Sequence, residues 1–337
     1  MKKLFAFIIG ATALLTSCTH KELCYTHREH AHRYHVNIVA DYRYDWEENY
    51  GGPDWKNNWP EHYLAYDELR PGTPSGIRVV NYRNEEEYNL HNISHEGGIV
   101  ELYEGHNDIL FYNNDTEYII FSRTSDGATT RATTRTRTRA TYLGNKYANE
   151  GEPTVSAPDM LYANFIEGYF AEKRLEPIDI EVTLQPLVFT YKIRYEFKAG
   201  LQYASMVRGA LSGMAESVHM NTGDTSEEAV TVLFDAEITD YGARALVNSF
   251  GAPGYPHANY PTKAGHRHAL NLEVLLKNGK TIQFSFDVTD QVSSQPHGGV
   301  IVVDGIEIEE EVGTQGTGAF DVTVDDWGEY EDIELPM

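Results

Sequence analysis

Residues 178–197, IDIEVTLQPLVFTYKIRYEF, alternate apolar and polar side chains, and midway the alternation slips by one position. Ile178, Ile180, Val182 and Leu184 are apolar on even numbers; Leu187, Phe189, Tyr191, Ile193, Tyr195 and Phe197 are apolar on odd numbers. A period of two marks a strand with one buried face. The slip falls at Gln185-Pro186, where proline has no N–H for a ladder, so a bulge or a change of strand belongs there.

The same period recurs on both sides. Residues 32–44 place Tyr34, Val36, Ile38, Ala40, Tyr42 and Tyr44 on one face and Arg33, His35, Asn37, Asp41 and Arg43 on the other. Further strands are expected at 77–82, 99–103, 109–112, 117–122, 230–238, 269–277, 281–288, 300–303, 305–311 and 320–324. Asn278-Gly279 predicts a two-residue hairpin between two of them, and Asp304-Gly305 another turn. Residues 45–60 read as a loop, and 62–69 as a helical turn or two. Residues 206–220 have a helix-compatible composition that Gly209 and Gly213 weaken, so their state stays open. Strands in both halves, short loops and few helical stretches predict an all-β chain. The expected organisation is two tandem β-sandwich domains, 32–160 and 161–337.

Composition narrows the function. The chain has 337 residues, a soft prior for about two domains, with 41% hydrophobic and 23% charged residues, which suits a packed core. Twenty-seven Lys and Arg against 51 Asp and Glu give a formal charge of −24; such a surface repels phosphate backbones, so nucleic acid is not an expected partner. Two cysteines supply neither a disulfide framework nor an all-cysteine zinc site. The amino end is more specific. Lys2 and Lys3, an apolar run from Leu4 to Leu15, then Thr16-Ser17-Cys18 resemble a bacterial lipoprotein signal. On that reading residues 1–17 are removed, Cys18 is acylated, 18–31 form a polar tether and Cys24 stays a free thiol. Acyl chains at one terminus give stable membrane anchoring.

Candidate sites each have a plain alternative. His27, His30, His32 and His35 crowd one segment, and His266 and His268 form an i, i+2 pair. No nearby cysteine completes a metal site, so a polar tether is the preferred reading and no metal or other cofactor is expected. Trp46, Trp55 and Trp59 share one loop and offer a ligand platform, or merely cap a sandwich. The run RTSDGATTRATTRTRTR at 123–139 is either a charged edge strand or an exposed loop open to Arg-directed proteolysis at Arg131, Arg135, Arg137 and Arg139; a loop or ragged edge is preferred. Acidic clusters lack the spacing of a calcium loop. There is no G-x-S-x-G, H-E-x-x-H, P-loop or dinucleotide fingerprint, so no catalytic residue is named and an enzyme is not expected.

Four strings together resemble the fimbrillin-like lipoproteins of Bacteroides-type bacteria, in the group of anchoring and minor fimbrial subunits. They are Leu15 to Cys18, His35-Val36-Asn37-Ile38, Ala210-Leu211-Ser212-Gly213-Met214-Ala215, and Phe320-Asp321-Val322-Thr323-Val324-Asp325-Asp326-Trp327. The resemblance implies two transthyretin-like sandwiches on an outer-membrane lipid, with the cell surface preferred to the periplasmic face. It implies partners that are other fimbrial or envelope β-sandwich subunits. In the polymerising members an Arg-specific protease frees a groove that accepts a strand from the next subunit. Here the arginine-rich run lies after residue 122 and not behind the first strand, which favours an anchor or accessory role over a shaft subunit. Cys18 is followed by Thr19-His20-Lys21-Glu22 and not by an acidic run, which leaves the membrane face open. The alternative function is a surface carbohydrate-binding lipoprotein of a nutrient-uptake system, with the tryptophan loop as platform.

Overall fold

The computed structural model describes residues 33–42, 72–83, 88–122, 124, 126–136, 152–172, 176–255 and 267–315. In chain order these give β1 (Arg33–Tyr42), β2 (Gly76–Tyr82), β3 (Tyr88–Ser94), β4 (Gly97–Tyr103), β5 (Gly105–Asn113), β6 (Ile119–Ser122), β7 (Arg131–Thr134), β8 (Thr154–Ser156), β9 (Tyr162–Ala171) and β10 (Ile178–Pro186). Then come β11 (Phe189–Ala199), β12 (Ala204–Ala215), β13 (Ser217–His219), β14 (Ala229–Ile238), β15 (Gly242–Ser249), β16 (Ala269–Leu276) and β17 (Thr281–Asp287). A helix α1 (Thr289–Ser294), β18 (Gly299–Glu307) and a helix α2 (Glu310–Thr314) follow. The all-β expectation holds.

Seven strands close a barrel in the order β1-β10-β9-β5-β2-β3-β4. Its interior follows the pattern read along β1: Tyr34, Val36 and Ile38 are buried while His35, Val39 and Asp41 face solvent. Val79, Leu102, Ile109, Phe111, Tyr162 and Leu184 fill the remaining space. Two of its junctions are short: β10 meets β9 at Gln185 and Pro186, and β3 meets β4 at Ser94. The sandwich expected of this half thus takes a barrel-like form.

The second sheet runs β17-β16-β12-β14-β15-β11-β18, with β8 added alongside β14. β14 is its corner. Through Ala236 it pairs with β12, and from Glu237 it pairs with β15. One strand thus serves two layers, and Tyr191, Tyr195, Leu211, Phe234, Leu272 and Ile301 from both layers meet in one core. That is the sandwich arrangement expected of this half.

The phase slip at Gln185-Pro186 is a change of strand. β10 ends the barrel's share of the chain at Pro186, and β11 opens in the second sheet at Phe189. Leu187 and Val188, between them, are buried in a third cluster with barrel residues Val80, Leu110 and Tyr112 and with Ala215, Val218 and Phe250. A shared core, not a bare linker, joins the two sheet systems. The division expected at 160/161 falls inside the barrel's own run, because the connection after β8 returns to the barrel through β9 and β10.

Other expectations change for local reasons. The state left open at 206–220 resolves as the strands β12 and β13: Gly209 lies under the Phe234 ring, and Gly213 (φ 81°) sits in a bulge where the pairing of β12 with β14 skips from Leu211 to Met214. The Asn278-Gly279 hairpin has a three-residue loop, since the Leu276 N–H bonds the Lys280 carbonyl at 2.8 Å and Gly279 (φ 83°) takes the left-handed place. Residues 310–314 are helical rather than the end of a strand. Phe320 to Trp327 lie outside the described residues.

Candidate docking edges

The unused hydrogen-bonding edges of a β protein are its natural points of contact with another chain. The barrel closes through short ladders, β10 to β9 at Gln185 and Pro186 and β3 to β4 at Ser94, so parts of those strands lack a strand partner on one side among the described residues. In the small sheet β13-β7-β6, the outer side of β13 is covered by 224–226: the Ser226 N–H bonds the Ser217 carbonyl and the His219 N–H bonds the Asp224 carbonyl, each at 2.9 Å. The outer side of β8 meets Thr136, and the Ser156 N–H bonds the Arg135 carbonyl at 3.0 Å. β6 has four residues. Among the described residues the large sheet ends on two long strands, β18 and β17, and β15 meets β14 only at Ala243 and Arg244.

β18 is sealed by side chains. Gln291 of α1 accepts from the Val302 N–H at 2.8 Å through Oε1 and donates through Nε2 to the Val302 carbonyl at 2.9 Å. Gln295 treats Val300 the same way, at 2.8 and 2.9 Å. The Tyr191 hydroxyl donates to the Gln295 carbonyl at 2.8 Å, and burial pushes that phenol well above its ordinary pKa. At the other end of α1 the Asp287 carboxylate accepts from the Thr289 N–H at 3.0 Å; hydrogen bonds from the Thr289 hydroxyl and N–H hold its pKa below the usual carboxylate range.

β17 is open. Among the described residues it pairs with β16 alone. The Leu276 N–H bonds the Lys280 carbonyl and the Val288 N–H bonds the His268 carbonyl, which fixes the parity of the ladder. Ile282, Phe284 and Phe286 bond β16, while Thr281, Gln283 and Ser285 turn their N–H and C=O groups to the outside. Ile282, Phe284 and Phe286 also pack their side chains against the core, so the edge is rigidly backed. The strand carries no proline, bulge or inward-pointing charge to deter pairing.

The residues singled out in the sequence are scattered. Cys18, Trp46, Trp55, Trp59, Arg137 and Arg139 lie outside the described residues, as do His27, His30, His32 and His266. Arg131 and Arg135 do not form the expected open loop. Arg131 begins β7, the middle strand of its sheet, paired with Ser122 on one side and His219 on the other. Arg135 follows it, with its guanidinium 5.9 Å from the centre of the Tyr118 ring. Thr130, Ala132 and Thr134 are buried, so this Thr/Ala pattern has an inner face that its lack of large apolar residues concealed. His35 lies 3.2 Å from Glu101, and among the described residues no three His, Cys, Asp or Glu gather as a metal site would require. The two glutamines were missed. Their signal is a Gln-x-x-x-Gln spacing just ahead of Gly298-Gly299 and an apolar strand.

The family model described as a domain of unknown function, DUF5119, matches residues 66–235. A Bacteroides ovatus protein, Fim4B, provisionally named a fimbrium anchoring subunit, is 23% identical over 369 residues, spanning 99% of this chain and 98% of its own. A crystal structure of a candidate adhesin from Bacteroides ovatus superposes with a TM-score of 0.58 at 19% identity, over 87% of this chain and 96% of that one. The fimbrial anchor protein Mfa2 of Porphyromonas gingivalis superposes with a TM-score of 0.43 at 11% identity, over 80% of this chain and 91% of that one.

Proposed function

We infer, from the premise that the chain belongs to the DUF5119 family, a domain of unknown function, that it is an anchoring or accessory subunit of a fimbrium. It meets neighbouring subunits by strand pairing. The observation that carries this reading is the open β17 edge, where Thr281, Gln283 and Ser285 present main-chain donors and acceptors on a strand braced by the core. Main-chain bonds set the register of an added strand, and the alternating side chains of that strand provide selectivity. The end-to-end likeness to a protein named for anchoring a fimbrium supports the same role.

The anchor itself is Cys18, acylated after removal of residues 1–17, with 18–31 as tether and the outer membrane, cell-surface side, as its place. Binding, not catalysis, is the activity. Two tandem modules, a barrel and a sandwich, are the structural units, fused through their common core. The Trp46, Trp55 and Trp59 platform lies outside the described residues, and no observation favours the carbohydrate reading. Replacing Cys18 by Ala tests the anchor: filament protein is then shed into the medium while the variant still associates with it. Filaments that stay on cells carrying C18A would overturn the role.

A further inference from the structure

The β18 edge and helix α1 fit together as a strand and its partner would. In a parallel pairing with β11, alternate residues of β18 turn both backbone groups outward. Val300 and Val302 are those residues, and each receives one glutamine amide bonded to both its N–H and its C=O. A primary amide has one acceptor and a donor pair on adjacent atoms, so it reproduces what a neighbouring backbone offers. The spacing also matches: positions i and i+4 on a helix are about 6 Å apart along its axis, and alternate residues of a strand about 6.6 Å. We propose that Gln291 and Gln295 act as a side-chain stand-in for a missing strand, blocking β18 from pairing with a second copy of this chain, while β17 at the far end of the large sheet stays open among the described residues.

The surroundings are built for this. α1 has six residues, too few to hold a helix without tertiary support. Val292 is its one buried side chain and belongs to the core. Gly299 makes room for the second amide: a Cβ there would collide with Gln295 Oε1. A glutamine pair kept merely for solubility would need neither the close approach nor the Tyr191 hydroxyl that fixes the Gln295 carbonyl. The inference concerns the edge itself and stands apart from any role in a fimbrium.

Hydrogen exchange resolved to single amides tests it first in the unaltered full chain. Val300 and Val302 are expected to be protected to the same degree as Ile301 and Val303, which bond β11. Exchange at the rate of an open edge would overturn the proposal without any variant. In the double variant Gln291→Ala/Gln295→Ala the Val300 and Val302 amides should exchange about tenfold faster or more, with Ile301 and Val303 unchanged. That variant should also sediment as larger species than the unaltered chain, and adding Val302→Pro, which removes an outward donor and no bond to β11, should reverse the shift. Faster exchange with no change in sedimentation would remove the blocking role.

Discussion

Gln283→Pro is the substitution that most directly tests main-chain recognition at β17. The parity of the ladder turns the Gln283 N–H outward, so proline deletes a donor that β16 does not use. The fold therefore loses little, within about 1 kcal/mol. A strand added at this edge loses more. One net hydrogen bond disappears, about 1 kcal/mol, and the incoming carbonyl that it satisfied is buried without a partner, about 1–2 kcal/mol more. The sum, about 2–3 kcal/mol, corresponds to a roughly 30- to 150-fold weaker association. Gln283→Ala is the matching control, because it keeps the N–H and removes only the side chain, whose bond to Glu273 is long at 3.5 Å. The assay is the fraction of filament protein retained on cells bearing each variant, with thermal melts of the purified chains alongside. Retention should fall for Q283P and stay near normal for Q283A. Equal loss in both would show that the side chain and not the backbone is recognised, and no loss in Q283P would remove β17 as the docking edge.

Gly209→Ala should destabilise by about 1–3 kcal/mol through overpacking, since its methyl would enter the space of the Phe234 ring. In a Phe234→Ala background most of that cost should vanish, and a cycle measured by urea unfolding that shows additive losses would assign the effect elsewhere. Asn113→Ala should cost about 2–3 kcal/mol, because the buried Asn113 amide donates to the Met160 carbonyl at 3.0 Å and accepts from the Tyr162 N–H at 2.7 Å; calorimetry reads the loss. Asp115 gives a pH dependence. Burial raises its pKa, but bonds from the Asn113 amide and the Ser75 N–H outweigh burial and hold it below the usual carboxylate range. Its contribution is complete above the unfolded value near 3.8 and fades as pH falls through the lower folded value, so Asp115→Asn should flatten the acid limb of the stability curve. Trypsin should spare Arg131 in the native chain, since β7 is bonded on both sides; early cleavage there would mean that the strand is not formed.

Much of the fold could be read in advance because its strands have one wet and one dry face. β1 and β17 were found from alternation alone. β3 was missed because its side chains alternate between exposed and half-buried, so Tyr88, Leu90 and Asn92 carry no clean contrast with their neighbours. β15 hides its inner face in Ala243 and Ala245, too small to register as a core. In β12 the glycines rightly weakened a helix but did not announce a strand, since Gly209 and Gly213 serve a ring and a bulge. The division between sheet systems was visible as the phase slip at Gln185-Pro186, yet the expected boundary was set at 160/161, ahead of two strands that belong to the barrel. The docking edges were not legible. Whether an edge is open depends on what lies beside it, and no residue type marks Gln291 and Gln295 as strand mimics before the chain is folded.

β1 is held antiparallel to β4 from Arg33 to Val39 and parallel to β10 from Val36 to Tyr42, so the two ladders overlap from Val36 to Val39. Tension applied at Arg33 runs along the strand, so the bonds of both ladders share the strain in shear instead of parting one after another like a zipper. Forced unfolding is governed by the rate of crossing the barrier and not by equilibrium stability. A chain pulled from its amino end thus loads the barrel through a strand whose two ladders resist together between Val36 and Val39.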